Sequence, residues 1–398
     1  MTFSNVGISK GAQGDSLENV PSVDSILGRF LNCPPRANGL SEIIEKWASG
    51  ERLSFEDGVR LMQSSDLLLL GRLADATRRS KVGDDVCFSM NININPTNAC
   101  VLRCQFCAFY RPLDHPEAYT EKPDEILERI QHAHSHGVRE VHIVGGLNPR
   151  IPFSYFLDLI RRIKAFDSDI HVKAFTAVEI DFFARVYKMS LGRVLEELKA
   201  AGLDSLPGGG AEVFSPRVRE LVCKGKISGE RWLEVIEVAH RLGIPSTATI
   251  LYGHVETVEE RIDHLQKLRD LQDRTGKFTC FVPLPFHPEN TPLAHLGYTC
   301  GVEDLKVYAV SRLFLDNFTH LKGLWNYLDE KFAQVILHFG VDDLGGTFVE
   351  ERIAHAAGAK TPQSLSRERM VQMIRNAKRV PVETDSSYRV RKKWEVTA

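Results

Sequence analysis

Three cysteines fall within eight residues of one another in NPTNACVLRCQFCAFY, at positions 100, 104 and 107. A structural zinc site wants four protein ligands, commonly two paired half-sites or a Cys/His pair. Only one C-x2-C pair is present. The other five cysteines, Cys33, Cys87, Cys223, Cys280 and Cys300, are scattered, offer no second half-site and read as plain thiols. A thioredoxin-type redox pair needs two cysteines, not three. Cys100, Cys104 and Cys107 can instead hold three irons of a 4Fe-4S cluster, leaving the fourth iron open to a non-protein ligand. An open position is what catalysis at a cluster requires. Three incidental thiols are the plain alternative, uncommon at this density in a reducing compartment.

A cysteine loop of this kind needs a scaffold, and the rest of the chain reads as one. Residues 1–38 are rich in Gly, Ser, Asn and Pro and read as a loosely ordered extension. From Ser41 apolar residues recur at three- and four-residue spacing, which predicts a helical region over 39–88. There the Leu67–Leu70 run reads as helix core. Over 89–363 short apolar runs alternate with amphipathic helices. Among them are NINI (91–94), REVHIVGG, DIHVKAF, LDSLPGGG, PSTATILYG and FTCFVPL. Thr257 with Glu260 three residues on is a capping box that opens one of the helices. Eight strand-like runs, counted generously and most of them apolar throughout, indicate an α/β fold with a parallel sheet buried on both faces. Repeated β-α units favour a (β/α)8 TIM-type barrel; a doubly wound open sheet also fits, because periodicity does not show closure. Residues 364–398 read as a basic-rich helix and a solvated C-terminal tail.

Hydrophobic residues make up 43% and charged residues 26%, which excludes disordered and fibrous chains. With a formal charge of −2 there is no basic excess for nucleic acid, and RVRKKW is too short a patch to change that. No apolar run is long enough to span a bilayer. The start of the chain lacks a basic segment followed by an apolar one, so a cytoplasmic protein is expected.

The C-x3-C-x-aromatic-C pattern, with Phe106 in the aromatic slot, resembles the radical S-adenosylmethionine (SAM) superfamily. Longer segments carry the likeness further: HIVGGLNPRIPFSYFLDLIRRIK, KAFTAVEI, AGLDSLPGGGAEVFSPRVRE, TATILYGHVET and PFHPENT. Together they resemble the aminofutalosine synthases of the futalosine route to menaquinone. The later cyclase of that route, dehypoxanthine futalosine cyclase, and the deazaflavin-forming FO synthases are close relatives. The resemblance implies a radical SAM barrel, a 4Fe-4S cluster on the three cysteines, SAM as co-substrate, and an electron donor such as a flavodoxin or ferredoxin. The implied reaction joins the 5′-deoxyadenosyl group of SAM to 3-[(1-carboxyvinyl)oxy]benzoate, with loss of a carboxyl group. It gives 6-amino-6-deoxyfutalosine, methionine and bicarbonate. The cyclase, and from another class a non-catalytic iron–sulfur or zinc protein, are the competing readings.

The same resemblance suggests roles along the strand ends. Gly145 and Gly146 occupy the place of a motif that contacts the SAM amino group. Their neighbour Leu147 replaces the usual acid, so only a backbone role carries over. Glu179 is either a ribose contact or a helix-start carboxylate. Glu212 is a candidate SAM or substrate contact, and Gly208–Gly210 would let backbone approach a ligand. A substrate with two carboxylates wants cations, for which Arg217 and Arg219 are candidates against a solvated helix face. His254 either handles a proton or is a satisfied capping histidine. His287 and Asn290 are placed on a substrate loop, and Asp342-Asp343 at the end of the last strand. His132, His134 and His136 read as a solvated helix end.

Overall fold

The computed structural model describes residues 39–347 and 350–395. The expected extension over 1–38, with Cys33, lies outside them. Two compact units divide the chain, residues 1–51 and 52–398. Of the first, the described part holds helix α1 (Ser41–Ser49), closed by Gly50 at φ 75°.

The second unit begins with α2 (Phe55–Gln63), opened by a Ser54–Asp57 capping box, and α3 (Leu67–Val82), capped by Asp66. An inner arm follows, β1 (Asp85–Ser89) and β2 (Asn91–Ile94). Next come α4 (Pro123–Ser135), β3 (Glu140–Ile143), α5 (Phe153–Phe166) and β4 (His171–Ala174). Four helices succeed them: α6 (Ala177–Val186), α7 (Leu191–Ala201), α8 (Pro216–Val222) and α9 (Gly229–Arg241). Then β5 (Ser246–Tyr252), α10 (Val258–Thr275), β6 (Phe278–Pro285) and α11 (Gly301–Phe314). After β7 (His320–Leu321) stand α12 (Trp325–Leu328), α13 (Glu330–Ile336) and β8 (Asp343–Gly346). The chain ends in α14 (Ile353–Ala356), α15 (Arg367–Asn376), β9 (Val380–Thr384) and β10 (Val390–Lys393).

The ring of strands closes. β2, β3 and β4 pair in parallel, with Asn93, His142 and Lys173 in one row. Lys173 bridges Ser205, and Leu206 bridges Ser246 of β5, so this two-residue segment takes the fourth position of the ring. β5, β6 and β7 continue in parallel. Lys322 bridges Asp343, and β8 returns to β1 through Cys87↔Asp343. Counting β1–β2 as one arm gives eight parallel positions, the expected (β/α)8 barrel. Helices α2 and α3 pack outside it against α10 and α11.

Two expectations are corrected. Residues 367–386 pack into the fold instead of forming a solvated tail, and β10 beyond them pairs with β9 while staying largely exposed. β9 pairs in parallel with β1, and Met370, Met373 and Ile374 of α15 are buried. Without β9 the outer edge of β1 would present unpaired backbone groups. Basic residues beyond β9 stay at the surface in ion pairs, Arg389 with Asp169 and Asp385, and Lys393 with Asp85. Asp343 starts β8 rather than ending it, and Asp342 is spent on Arg312 and His320.

Candidate active site

The cysteine loop leaves the C-terminal end of β2 and is pinned on both sides. The Cys100 amide donates to Arg111 O at 2.9 Å, the Val101 amide to Leu147 O at 3.0 Å, and the Gln105 amide to Val222 O at 2.8 Å. All three cysteines and Phe106 line one chamber of about 340 Å³ inside the barrel. That volume suits a small organic ligand. The Leu102 amide lies 3.4 Å from Cys100 Sγ, and burial raises the Cys107 thiol against the pull of the Tyr110 and Phe109 amides. Amide N–H groups aimed at sulfur are what tune cluster-bound thiolates. Among the described residues no three His, Cys, Asp or Glu gather at single-ion distance. Irons of a cluster, unlike one ion, take one thiolate each, so three chamber-facing thiols on one loop fit a cluster.

Gly145 and Gly146 end the strand beside this loop because nothing larger fits. A Cβ on Gly146 would stand 2.3 Å from Ala99 O, and the Gly146 amide donates to Thr97 O at 2.8 Å. Glu179 is the helix-start carboxylate, and it also faces the chamber. It completes a capping box with Thr176 at the start of α6 and accepts the Gly145 amide at 3.1 Å. Burial lifts its carboxyl to about 7, against hydrogen bonds from Thr176 and Gly145. Gly208 packs its backbone on β5, where a Cβ would meet Thr247 O at 2.7 Å.

Glu212 lines the chamber with φ 46° and carries an ion pair to Lys226 Nζ at 2.5 Å. Sequence reading missed Lys226, which has no motif. Its ammonium stands 5.0 Å from the Phe106 ring, tying the cysteine loop to Glu212. It stays cationic: burial works against its charge, and Cys104, Glu212 and Cys223 outweigh burial.

The end of the chamber away from the cysteines is polar. Asn91, Asn93 and Asn95, alternate residues of NININ, all line the chamber, Asn95 nearest the cysteine loop. That alternation was legible, with the unusual sense of polar residues pointing inward. Glu140 and His142 of β3, Lys173 of β4 and Lys322 join them. Lys173 Nζ donates to Glu140 Oε1 at 2.9 Å and to Ser386 Oγ at 2.8 Å. Lys322 Nζ lies 3.1 Å from Asp343 Oδ2, which also accepts the Tyr388 hydroxyl at 2.7 Å. Burial and then the Lys173 charge press His142 down to about 3, so its ring is neutral. His142 Nε2, Asn95 Oδ1 and Asn326 Oδ1 are buried without hydrogen-bond partners, on residues that line the chamber. Buried polar atoms left unsatisfied this way suit a polar ligand.

Several residues singled out from the sequence do not line this chamber. Arg217 is exposed and spends its guanidinium on Glu260 and Val255 O. Arg219 is buried, but it donates to Ala211 O at 2.7 Å and Ile227 O at 2.9 Å, which positions the loop carrying Gly210 and Glu212. Both were judged by residue type, and both guanidiniums are taken by partners that meet them only in the fold. His287 Nε2 donates to Tyr327 O at 3.0 Å and so stands behind Tyr327, which does face the chamber. Asn290 is exposed at φ 61° and bonds Ala356 O. At the helix end His134 pairs with Asp167, and the His132 and His136 rings lie 4.7 Å apart.

His254 follows β5 but belongs to a buried polar knot outside the chamber. Its Nδ1 lies 2.7 Å from the Val255 amide and 2.9 Å from Glu256. Burial pushes Glu256 upward, yet His254, Arg261 and the Gly253 amide outweigh it and hold the carboxyl at about 2. A depressed acid contributes stability that is complete above its ordinary value of 4.5 and is lost as pH falls through the folded value. Glu256→Gln is therefore expected to cost about 3 kcal/mol at pH 7. It should also flatten the fall in stability between pH 4.5 and 2, as read by urea unfolding across that range. An unchanged pH profile in the variant would contradict this account.

Comparisons with known proteins agree with the geometry. The radical SAM superfamily pattern matches residues 94–268, and the CofH/MqnC C-terminal region matches 275–396. The chain is 46% identical to the aminodeoxyfutalosine synthase of Thermus thermophilus, over 89% of this chain and 97% of that one. It is 42% identical to the 5-amino-6-(D-ribitylamino)uracil–L-tyrosine 4-hydroxyphenyl transferase of Methanopyrus kandleri, over 80% and 87%. The FeFe-hydrogenase maturase HydG from Carboxydothermus hydrogenoformans shares the fold, with TM-score 0.70 at 15% identity over 92% and 83%. Among the described residues no helix is long and apolar enough to cross a membrane. A closed barrel with a three-cysteine loop at its strand ends, matched over nearly its whole length by these relatives, is a radical SAM enzyme: the chain belongs to the family that holds the aminodeoxyfutalosine synthases and their CofH/MqnC-type relatives.

Proposed function

We propose that this enzyme is an aminofutalosine synthase, joining the 5′-deoxyadenosyl group of SAM to 3-[(1-carboxyvinyl)oxy]benzoate with loss of one carboxyl group. The products are 6-amino-6-deoxyfutalosine, methionine and bicarbonate. The observation that carries the reading is one chamber with three thiols at one end and buried polar and cationic groups at the other, in a chain so close to the T. thermophilus synthase. Cys100, Cys104 and Cys107 would hold a 4Fe-4S cluster. When bound, the cluster and SAM together supply a 5′-deoxyadenosyl radical, with the electron drawn from a donor such as a flavodoxin or ferredoxin.

The remaining work falls to this chain's own groups. Phe106 and the Lys226 ammonium fix the cysteine loop. Gly145 and Gly146 bring backbone against it, and Glu179 holds the Gly145 amide while offering an acceptor for a ribose hydroxyl. Glu212, with its charge matched by Lys226, offers a second acceptor. Val144, Val178, Val282, Leu284, Leu324 and Ile353 wall the chamber and exclude water from a radical reaction.

The test is mass spectrometry after anaerobic reconstitution and reduction with SAM and 3-[(1-carboxyvinyl)oxy]benzoate. The expected product is the adenosylated adduct, with SAM consumed one for one. Release of 5′-deoxyadenosine without adduct would favour cyclase chemistry. Product formed only from tyrosine and the ribitylaminouracil would favour the transferase seen in M. kandleri. Either outcome overturns the proposal.

A further inference from the structure

We infer that the polar end of the chamber is an aryl-carboxylate subsite, in which Lys173, Lys322 and His142 hold the ring carboxylate of the aromatic substrate. This rests on the synthase reading above and specifies which end of the substrate goes where.

The placement follows from the strands. Asn93, His142 and Lys173 occupy one row across β2, β3 and β4, and all three side chains line the chamber. Lys322 reaches the same chamber from the bridge between β7 and β8. An ammonium has three N–H donors. Lys173 uses two, on Glu140 and Ser386, and Lys322 meets Asp343. Donors are therefore left for a ligand at both. The two acids that match the lysines are themselves tied back. Glu140 accepts the Ser386 amide at 2.8 Å, and Asp343 accepts the Gly345 amide at 2.7 Å and the Tyr388 hydroxyl. Asp343 does not line the chamber, whereas Lys322 does. His142 stands opposite Lys173 in the row, and its buried Nε2 has no hydrogen-bond partner.

Two ammoniums and one neutral imidazole match the oxygens of a carboxylate, and charge-assisted hydrogen bonds in a dry site are the strong ones. Orientation then decides which carboxylate. The vinyl carbon must meet the adenosyl group at the cysteine end, so the enolpyruvyl arm points to the cysteines. The ring carboxylate, on the far side of the arene, points to the lysines. Ser386 and Tyr388 come from the segment after β9, so the packed C-terminal region holds this subsite together: a carboxylate bound here senses the tail.

The test is equilibrium binding by calorimetry to the reconstituted enzyme with SAM and no reductant, so that no turnover intervenes. Two ligands are compared, 3-[(1-carboxyvinyl)oxy]benzoate and 2-phenoxyacrylate, which keeps the enolpyruvyl arm and lacks the ring carboxylate. The wild type should bind the first at least about tenfold more tightly. In Lys322→Met and His142→Ala that preference should shrink about tenfold and severalfold, with affinity for 2-phenoxyacrylate held. Thermal melting and iron content establish that each variant is folded and loaded. If Lys322→Met does not fold, the two-ligand comparison in the wild type and in His142→Ala still decides. Equal binding of the two ligands by the wild type, or variants that weaken both alike, would overturn the subsite. A preserved preference without adduct on reduction would instead strike at the synthase reading and leave the subsite standing.

Discussion

Cys104→Ala is expected to empty the enzyme of its cluster and to abolish SAM cleavage together. Cys104 is the one buried residue of the three, 7% exposed, and burial pushes its thiol up to about 12 with Lys226 pulling the other way. A thiol so placed deprotonates readily only when a metal takes the thiolate, and the Lys226 charge eases that exchange. With two thiolates left, iron content after reconstitution should fall below about a tenth of the wild type. SAM affinity and turnover should fall at least a hundredfold, roughly 3 kcal/mol. The barrel itself should survive, because removing one sulfur costs only about 1 kcal/mol. Cys223→Ala is the matched control: Cys223 is buried near the same lysine but lines a different pocket, so its loss should leave the cluster in place. Cleavage of SAM by a Cys104→Ala enzyme that holds a full cluster would refute the ligand assignment.

Gly146→Ala is expected to damage the same site without touching a ligand. The added methyl would meet Ala99 O at 2.3 Å and Ala99 C at 2.8 Å, backbone atoms of the residue just before Cys100. A flexible side chain could step aside; a peptide on the cysteine loop moves only with the loop. Overpacking of this kind costs about 1–3 kcal/mol. The cost here falls on the hydrogen bond from the Gly146 amide to Thr97 O and on the position of Cys100. Cluster occupancy and SAM affinity should each drop about tenfold, with circular dichroism close to wild type. Gly145→Ala provides the graded comparison, because its methyl would stand 3.1 Å from Thr97 O, and it should lose less. A Gly146→Ala protein with full iron content and unchanged melting would show that the loop tolerates displacement.

Much of this site was legible because its chemistry is local in the chain. Cys100, Cys104, Phe106 and Cys107 lie on one loop, and a loop's spacing survives folding whatever surrounds it. The Thr257–Glu260 capping box is of the same kind and is present as read. The alternation of NINI is equally local, and its polar residues face inward with Asn95 onto the chamber.

The misplacements share one cause. Arg217 and Arg219 have the residue type of a carboxylate partner, but a guanidinium's role depends on which acceptor reaches it first. Glu260 lies 43 residues from Arg217, and the Ile227 carbonyl waits across the next turn for Arg219. Lys173, Lys322 and Glu140 were invisible for the converse reason: Lys173 meets Ser386 across 213 residues of chain. No window on the sequence contains both partners.

The sequence alone thus determined the repeating β-α scaffold and a loop with three thiols spaced to fit a cluster, since period and spacing are properties of neighbouring residues. Closure of the ring through Cys87↔Asp343, the packing of β9 on β1, and the gathering of two lysines opposite the cysteines were decided only by the tertiary structure. These contacts join segments whose separation along the chain carries no signal. They form because, once the barrel is shut, a buried ammonium must find a carboxylate and a strand edge must find a strand.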